Sequence, residues 1–317
     1  MPAAKRPAKN ARKRLEITLP ATSANLGPAF DTAALALRLY LKITAEPATE
    51  YSVTARGRDA DICSAAKDHL ILNTYREVLQ DCRKPIVPLA LRIDNKIPIG
   101  KGCGSSAAAR LAGIALAVHF GDLRWDDARI VAEASRREHH PDNAAACWMG
   151  GLTIARIAAN GEVQLMKFMP KGKWPLLLVV PDQSLSTEQA RRVLPPEYSR
   201  QDVVSNVQNS MMLLAAFVQG RHDIVSVAQE DRIHQPYRSP LCPLLPAIQE
   251  IAGNSGVLAA VLSGAGPSVL VFLDPKSSSE RILARVRSHL RRHHLSADLI
   301  EAAIAGRGAR DRIVRRT

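Results

Sequence analysis

Between Ile97 and His119 the chain reads IPIGKGCGSSAAARLAGIALAVH, a Pro- and Gly-rich turn that runs directly into an Ala/Leu-rich helix. Gly100, Gly102 and Gly104 permit backbone conformations and close approaches that a Cβ would block, and Ser105 and Ser106 open the helix. The first N–H groups of a helix have no partner within it, and with the dipole behind them they favour an anion. The segment is therefore either a phosphate cradle or, equally well on this pattern alone, a glycine-rich turn with Ser105 as its N-cap. It is not a P-loop, because no Lys-Ser/Thr pair follows the last glycine. Nor is it a dinucleotide fingerprint, because G-x-G-x-G lacks that spacing and the acid about 20 residues further on.

Strands and helices alternate around this segment. Residues 15–20 (LEITLP) alternate as a strand, the small-residue loop 21–28 follows, and 33–43 is a second apolar strand. Helical spacing over 68–80 buries Leu70, Ile71, Tyr75, Val78 and Leu79, and 87–93 returns to strand. A charged helix is expected at 126–138, a hairpin from Gly150-Gly151 through Asn160-Gly161, and a buried strand at 174–180 closed by Pro181. Beyond it come helices at 186–194, 202–219 and 221–232, strands at 257–262 and 268–273, and an amphipathic helix at 277–292. The class is α+β with layered sheets, and the division falls near residue 170 into units 15–170 and 171–317 behind a basic tail, 1–14.

With 46% hydrophobic and 23% charged residues, the 317-residue chain has enough apolar material for two cores. No apolar run approaches the about 20 residues that cross a bilayer, which excludes a transmembrane helix. The net charge of +13 sits at the ends: six cations in the first 14 residues, and a net six across residues 280–317. The body between is nearly neutral and aromatics are only 4%, so solvated charged ends are favoured over a nucleic-acid surface. Cys63, Cys82, Cys103, Cys147 and Cys242 are odd in number and show no C-x-x-C spacing, which argues against a disulfide framework and fits a cytoplasmic protein.

Two further segments tip the balance towards the phosphate cradle. Residues 20–31 read PATSANLGPAFD and residues 261–272 read VLSGAGPSVLVF. With the glycine run, they resemble motifs one, two and three of the GHMP small-molecule kinases in that family's order. The likeness is greatest to the homoserine kinase branch. Residues 138–143 (EHHPDN) resemble its E-G-H-P-D-N, residues 186–195 (STEQARRVLP) its S-T-x-x-A-R-x-V-L-P, and residues 231–238 (DRIHQPYR) its D-x-x-H-x-P-Y-R.

The resemblance implies an N-terminal β-α domain with the phosphate loop, a C-terminal ferredoxin-like domain, and ATP-dependent phosphorylation of the side-chain hydroxyl of L-homoserine. It also implies Mg²⁺ as cofactor and an assembly that is often a homodimer. Pro98, Gly100, Gly102, Gly104, Ser105 and Ser106, with Gly264 and Gly266, would surround ATP. Ser106 and Glu138 would hold the metal, with Glu133 as the alternative acid. A zwitterionic amino acid needs an anion for its ammonium and guanidinium groups for its carboxylate. Asp31 and Asn25 meet the first need, Arg191 and Arg238 the second, and His140 packs alongside. Phosphoryl transfer demands positioning more than a strong base, so Asn143 suffices as the catalytic residue, its side-chain oxygen orienting the hydroxyl. Two other readings stay open: a GHMP kinase for another hydroxylated metabolite, and a non-catalytic relative that binds nucleic acid through its basic ends.

Three positions depart from the family pattern. Ala29 replaces the Gly of P-G-F-D, Cys103 the Leu of G-L-G-S-S, and His139 the Gly of E-G-H-P-D-N. If position 29 requires φ > 0, alanine there costs on the order of 1 kcal/mol and displaces Asp31.

Overall fold

The computed structural model describes residues 14–65, 68–254 and 256–316. The expected basic tail lies outside them except for Arg14, which opens the first strand and pairs with Glu16 and Glu46.

The N-terminal half comprises β1 (Arg14–Ala24), β2 (Ala33–Pro47), β3 (Ser52–Gly57), α1 (Ala60–Ser64), α2 (Leu70–Asp81), β4 (Leu89–Asn95), α3 (Ser105–Phe120), α4 (Asp127–Glu138), α5 (Asp142–Met149), β5 (Leu152–Ile157) and β6 (Val163–Phe168). Leu15, Ile17 and Leu19 of β1 alternate inward, and their neighbours on β2 complete an apolar face covered by α2, α3 and α5. Almost every residue of α3 after Ser106 is buried, which explains a helix apolar on all sides rather than on one stripe. The polar edge strand β3 and the short α5 carry too little periodicity to have been anticipated.

The C-terminal half holds β7 (Leu176–Val180), α6 (Thr187–Arg192), α7 (Arg200–Gln219), α8 (Gln235–Arg238), α9 (Leu244–Gln249), β8 (Val257–Leu262), β9 (Val269–Leu273), α10 (Ser279–Arg292), β10 (Asp298–Ala302) and β11 (Ile313–Arg316). The helix expected at 221–232 is instead a 3-10 segment, His222–Gln229. The second sheet has strand order β10-β7-β9-β8 with every neighbour antiparallel. With helices after β7 and β9, this is the expected ferredoxin-like β-α-β-β-α-β arrangement. Leu177, Val179, Val269 and Val271 face α9 and α10, while Leu176, Leu178, Leu270 and Phe272 join the core of the first half. Both sheet faces are covered, so these strands read as unbroken apolar runs.

The chain does not end in the second unit. After β10 it returns to the first sheet, where β11 pairs antiparallel with β1, and Ala305 N donates to Ala36 O at 2.8 Å. Arg310 pairs with Asp127 at 2.9 Å, so part of the basic C-terminus is neutralised on the protein's own surface.

Candidate active site

The glycine turn between β4 and α3 holds Gly100, Gly102 and Gly104 at φ of 69°, 77° and 72°. Gly104, not Ser105, is the N-cap of α3, and no side chain caps that end. Ser105 is therefore not the cap, and the leading N–H groups of this 16-residue helix have no side-chain acceptor at the cap. A Cβ on Gly102 would lie 2.2 Å from Ser263 O, and one on Gly104 would lie 1.9 Å from Thr22 Oγ1. Those contacts show how tightly the three motifs interlock. Ser263 Oγ donates to Gly102 O at 2.8 Å, Gly264 N to Ala24 O at 3.1 Å, and Thr22 N to Cys103 O at 3.1 Å. Cys103 is fully buried, and burial pushes its thiol pKa up to about 12.

One cleft of about 110 Å³ is lined by Asn25, Asp31, the three glycines, Ser105, Ser106, Glu138, His140, Asn143, Arg191, Arg238, Gly264 and Gly266. Every expected site residue is there except Pro98, which is buried ahead of the turn and does not line the cleft.

At the end of α4 the chain turns through His139, at φ 66°, to place His140 and the start of α5 against the glycine turn. Asp142 is buried, and its Oδ1 accepts from His140 Nδ1 at 2.7 Å, Asn143 N at 2.6 Å and Asn143 Nδ2 at 3.2 Å. Burial opposes charge on His140, but the hydrogen bond and charge of Asp142, with Asp31 and Glu138 beyond, prevail and raise its pKa. Thr22 Oγ1 donates to Asn143 Oδ1 at 2.6 Å. The Asn143 amide is thus held at both ends, which leaves one lone pair of Oδ1 and one N–H of Nδ2 for a ligand.

Glu138 and Glu133 part company. Ser106 Oγ donates to Glu138 Oε1 at 2.7 Å and Arg110 Nε at 2.5 Å, at the cleft wall. Glu133 lies one turn or more back along α4, where Arg136 and Arg137 hold it at 2.8 and 2.7 Å. Burial there works against ionisation, yet the two arginines lower its pKa.

Across the cleft, Arg191 Nη2 donates to Asp31 Oδ1 and Oδ2 at 2.7 and 2.9 Å, both side chains about one third exposed. Ser186 and Gln189 form a capping box that starts α6 and sets Arg191 in its last turn. Asp231 accepts from the backbone N–H groups of Ile233, His234 and Gln235, which starts α8 and stacks His234 and Arg238 one turn apart. Arg238 is buried. Its Nε donates to Ala190 O at 2.9 Å and its Nη1 to His234 Nδ1 at 3.2 Å, because His234 Nε2 itself donates to Gly27 O at 2.8 Å. Burial, with Arg191 nearby, lowers the Arg238 pKa to about 10, so it stays cationic at neutral pH. Phe30 lies under both guanidinium groups, 5.5 Å from Arg191 and 5.1 Å from Arg238.

The strain expected at Ala29 is absent. The non-glycine left-handed residues of this loop are Asn25, Leu26 and Asp31, and Ala29 caps a turn by donating to Asn25 O at 2.9 Å. Of the three departures from the family pattern, His139 is the one that is left-handed. Asn25, at the cleft wall, also braces the loop: its Nδ2 donates to Gly264 O and its Oδ1 accepts from Asp31 N. Sequence reasoning missed Thr22, Phe30 and His234; Thr22 and Phe30 lie inside the motif-one segment, but only long-range contacts show what they do.

Comparison with known proteins bears on the family and the fold. The family model "GHMP kinases N terminal domain" matches residues 69–151 and "GHMP kinases C terminal" matches residues 213–292. A homoserine kinase of Solibacter usitatus is 41% identical over 292 residues, covering 92% of this chain and 95% of that protein. This chain belongs to the homoserine kinase family of GHMP kinases. A second homoserine kinase, of Synechocystis, is 37% identical over 263 residues, covering 81% of this chain and 85% of that one. The solved homoserine kinase of Cytophaga hutchinsonii superposes with a TM-score of 0.79 at 20% identity, covering 96% of this chain and 99% of that one, a likeness of fold. Among the described residues no helix is long and apolar enough to cross a membrane.

Proposed function

We propose that this chain transfers the γ-phosphoryl group of ATP to the side-chain hydroxyl of L-homoserine, giving O-phospho-L-homoserine. The observation that carries it is the single cleft in which the uncapped N-terminus of α3 faces Asp31, Arg191 and Arg238. The helix end and its glycines accept the phosphates. A zwitterion enters by exchanging the Asp31–Arg191 pair for two intermolecular pairs, its ammonium against Asp31 and its carboxylate against Arg191 and Arg238. The apolar face of Phe30 keeps both guanidinium groups in place during that exchange.

The remaining lone pair of Asn143 Oδ1 orients the hydroxyl, with Asp142 and Thr22 holding the amide. Ser106 and Glu138 offer adjacent oxygen atoms at the cleft wall, the donor set that magnesium prefers, whereas Glu133, further back along α4, does not line the cleft. Bound there, magnesium would supply charge neutralisation on the β- and γ-phosphates. Residues 15–170 supply the phosphate loop and residues 171–317 the two arginines, and the five free cysteines suit a reducing cytoplasm.

A coupled ADP-release assay with Mg-ATP tests the reading against L-homoserine, L-threonine, L-serine, mevalonate and galactose. Turnover confined largely to homoserine is expected. Preference for an acceptor that lacks a carboxylate beside an ammonium overturns the assignment of Asp31 and the arginines.

A further inference from the structure

Away from the cleft, three groups able to ligate a metal meet where α9 touches the last turn of α10. His289 and His293 stand four residues apart, which places them on one face, and Glu250 follows the last residue of α9. Glu250 Oε2 lies 3.4 Å from His289 Nε2 and 3.1 Å from His293 Nε2, and the three ligand atoms all fall within 4.8 Å of one another. A tetrahedral ion with bonds of about 2.0–2.1 Å has ligand-to-ligand edges of roughly 3.3 Å. Both spacings bracket that edge. None of the three residues lines the cleft.

We propose that Glu250, His289 and His293 form a surface site for a zinc-class divalent cation, with water completing its coordination, and that the ion clips α10 to α9. Two imidazoles and a carboxylate suit zinc, cobalt or nickel, whereas magnesium takes oxygen ligands. His289 is nearly buried and supplies the fixed ligand. Glu250 and His293 are 55% and 36% exposed, so an ion reaches the site without opening the core. Binding has an identifiable cost. His289 Nε2 now donates to Ala247 O at 2.7 Å; ligation moves that proton to Nδ1, leaves Ala247 O without this donor and requires the ring to turn its Nε2 off that carbonyl. Arg292 Nη2, 3.4 Å from Nδ1, must then turn away, which an exposed side chain does readily. The relocated Nδ1–H then offers a donor on the side that Arg292 vacates, and an outer hydrogen bond from that nitrogen is one that metal-binding histidines commonly make.

The test is titration of the metal-free full-length chain with ZnCl₂ by calorimetry and with CoCl₂ by visible absorption, beside Glu250→Gln and His293→Ala. Both substitutions fall on exposed side chains, and thermal unfolding without metal verifies that each variant folds. Asp31, His140 and Asp142 in the cleft also lie within 4.8 Å of one another, so the deciding quantity is the difference between the parent chain and the variants. The expected result is one equivalent in the parent chain that weakens by more than about tenfold in each variant, with tetrahedral cobalt absorption lost in parallel and a zinc-induced rise in Tm that the variants lack. Zinc affinity and cobalt spectrum unchanged by the substitutions, or no zinc bound by the parent chain, overturn the proposal.

Discussion

Replacing Thr22 with valine removes one hydroxyl and leaves the side chain's shape nearly intact. Thr22 is fully buried in β1, and its Oγ1 makes a 2.6 Å hydrogen bond to Asn143 Oδ1. A neutral hydrogen bond contributes about 1 kcal/mol net, and an acceptor stranded without its donor costs about 1–3 kcal/mol. Part of that loss appears as stability, read as a lower urea midpoint. The rest appears in catalysis, because an Asn143 amide anchored only through Asp142 samples orientations that do not meet the hydroxyl. If about 1 kcal/mol of alignment is lost in the transition state alone, kcat falls about fivefold while the KM for homoserine shifts little. Thr22→Ser keeps the hydroxyl and restores most of kcat, whereas a merely structural role would move stability and leave kcat unchanged. Steady-state ADP release for the two variants, with unfolding curves in parallel, separates these effects. A valine variant with parental kcat, or a serine variant as slow as valine, refutes the positioning of Asn143 by Thr22.

Three further outcomes follow from the same geometry. Arg191→Ala removes a charge-assisted contact to a remote carboxylate, worth about 1.5–3 kcal/mol, so the homoserine KM rises by roughly 10- to 150-fold with a smaller change in kcat, whereas Asn143→Ala chiefly lowers kcat; indistinguishable kinetics contradict that division. His139 is exposed and left-handed at φ 66°, so His139→Gly is expected to stabilise the fold by about 1 kcal/mol, measured by urea unfolding. The folded pKa of His140 is raised above its unfolded value, so its protonation stabilises the native state fully below the unfolded pKa, and this contribution fades as pH rises through the folded pKa. Comparison with His140→Gln across that window tests the sign: the parent chain's advantage shrinks with rising pH, and a growing advantage contradicts the raised pKa.

Much of this protein is legible along the chain because its information is local. The G-x-G-x-G-S-S run specifies a glycine turn ahead of a helix from backbone sterics alone, although only the fold shows that no side chain caps that helix, and the apolar periods locate α2, α3, α10 and most strands to within a few residues. The three ordered motifs, with the arginine-bearing stretches, likewise identify the family. Edge elements were hidden. β3 and β11 are largely exposed, and β11 gains its partner only from β1, some 300 residues away in sequence.

The balance of the site was equally out of reach of pattern reading. That position 29 tolerates alanine depends on how the loop 25–31 folds over Gly264, and that Glu138 rather than Glu133 reaches Ser106 depends on where α4 ends. Asp31 and Arg191, each read as half of a substrate contact, neutralise one another across 160 residues. Backbone conformation and burial preference are properties of a residue and its near neighbours, so composition and spacing record them. The pairing of Asp31 with Arg191 and the grip of Thr22 on Asn143 depend on distances between segments remote in sequence, which come into being only when the chain has folded.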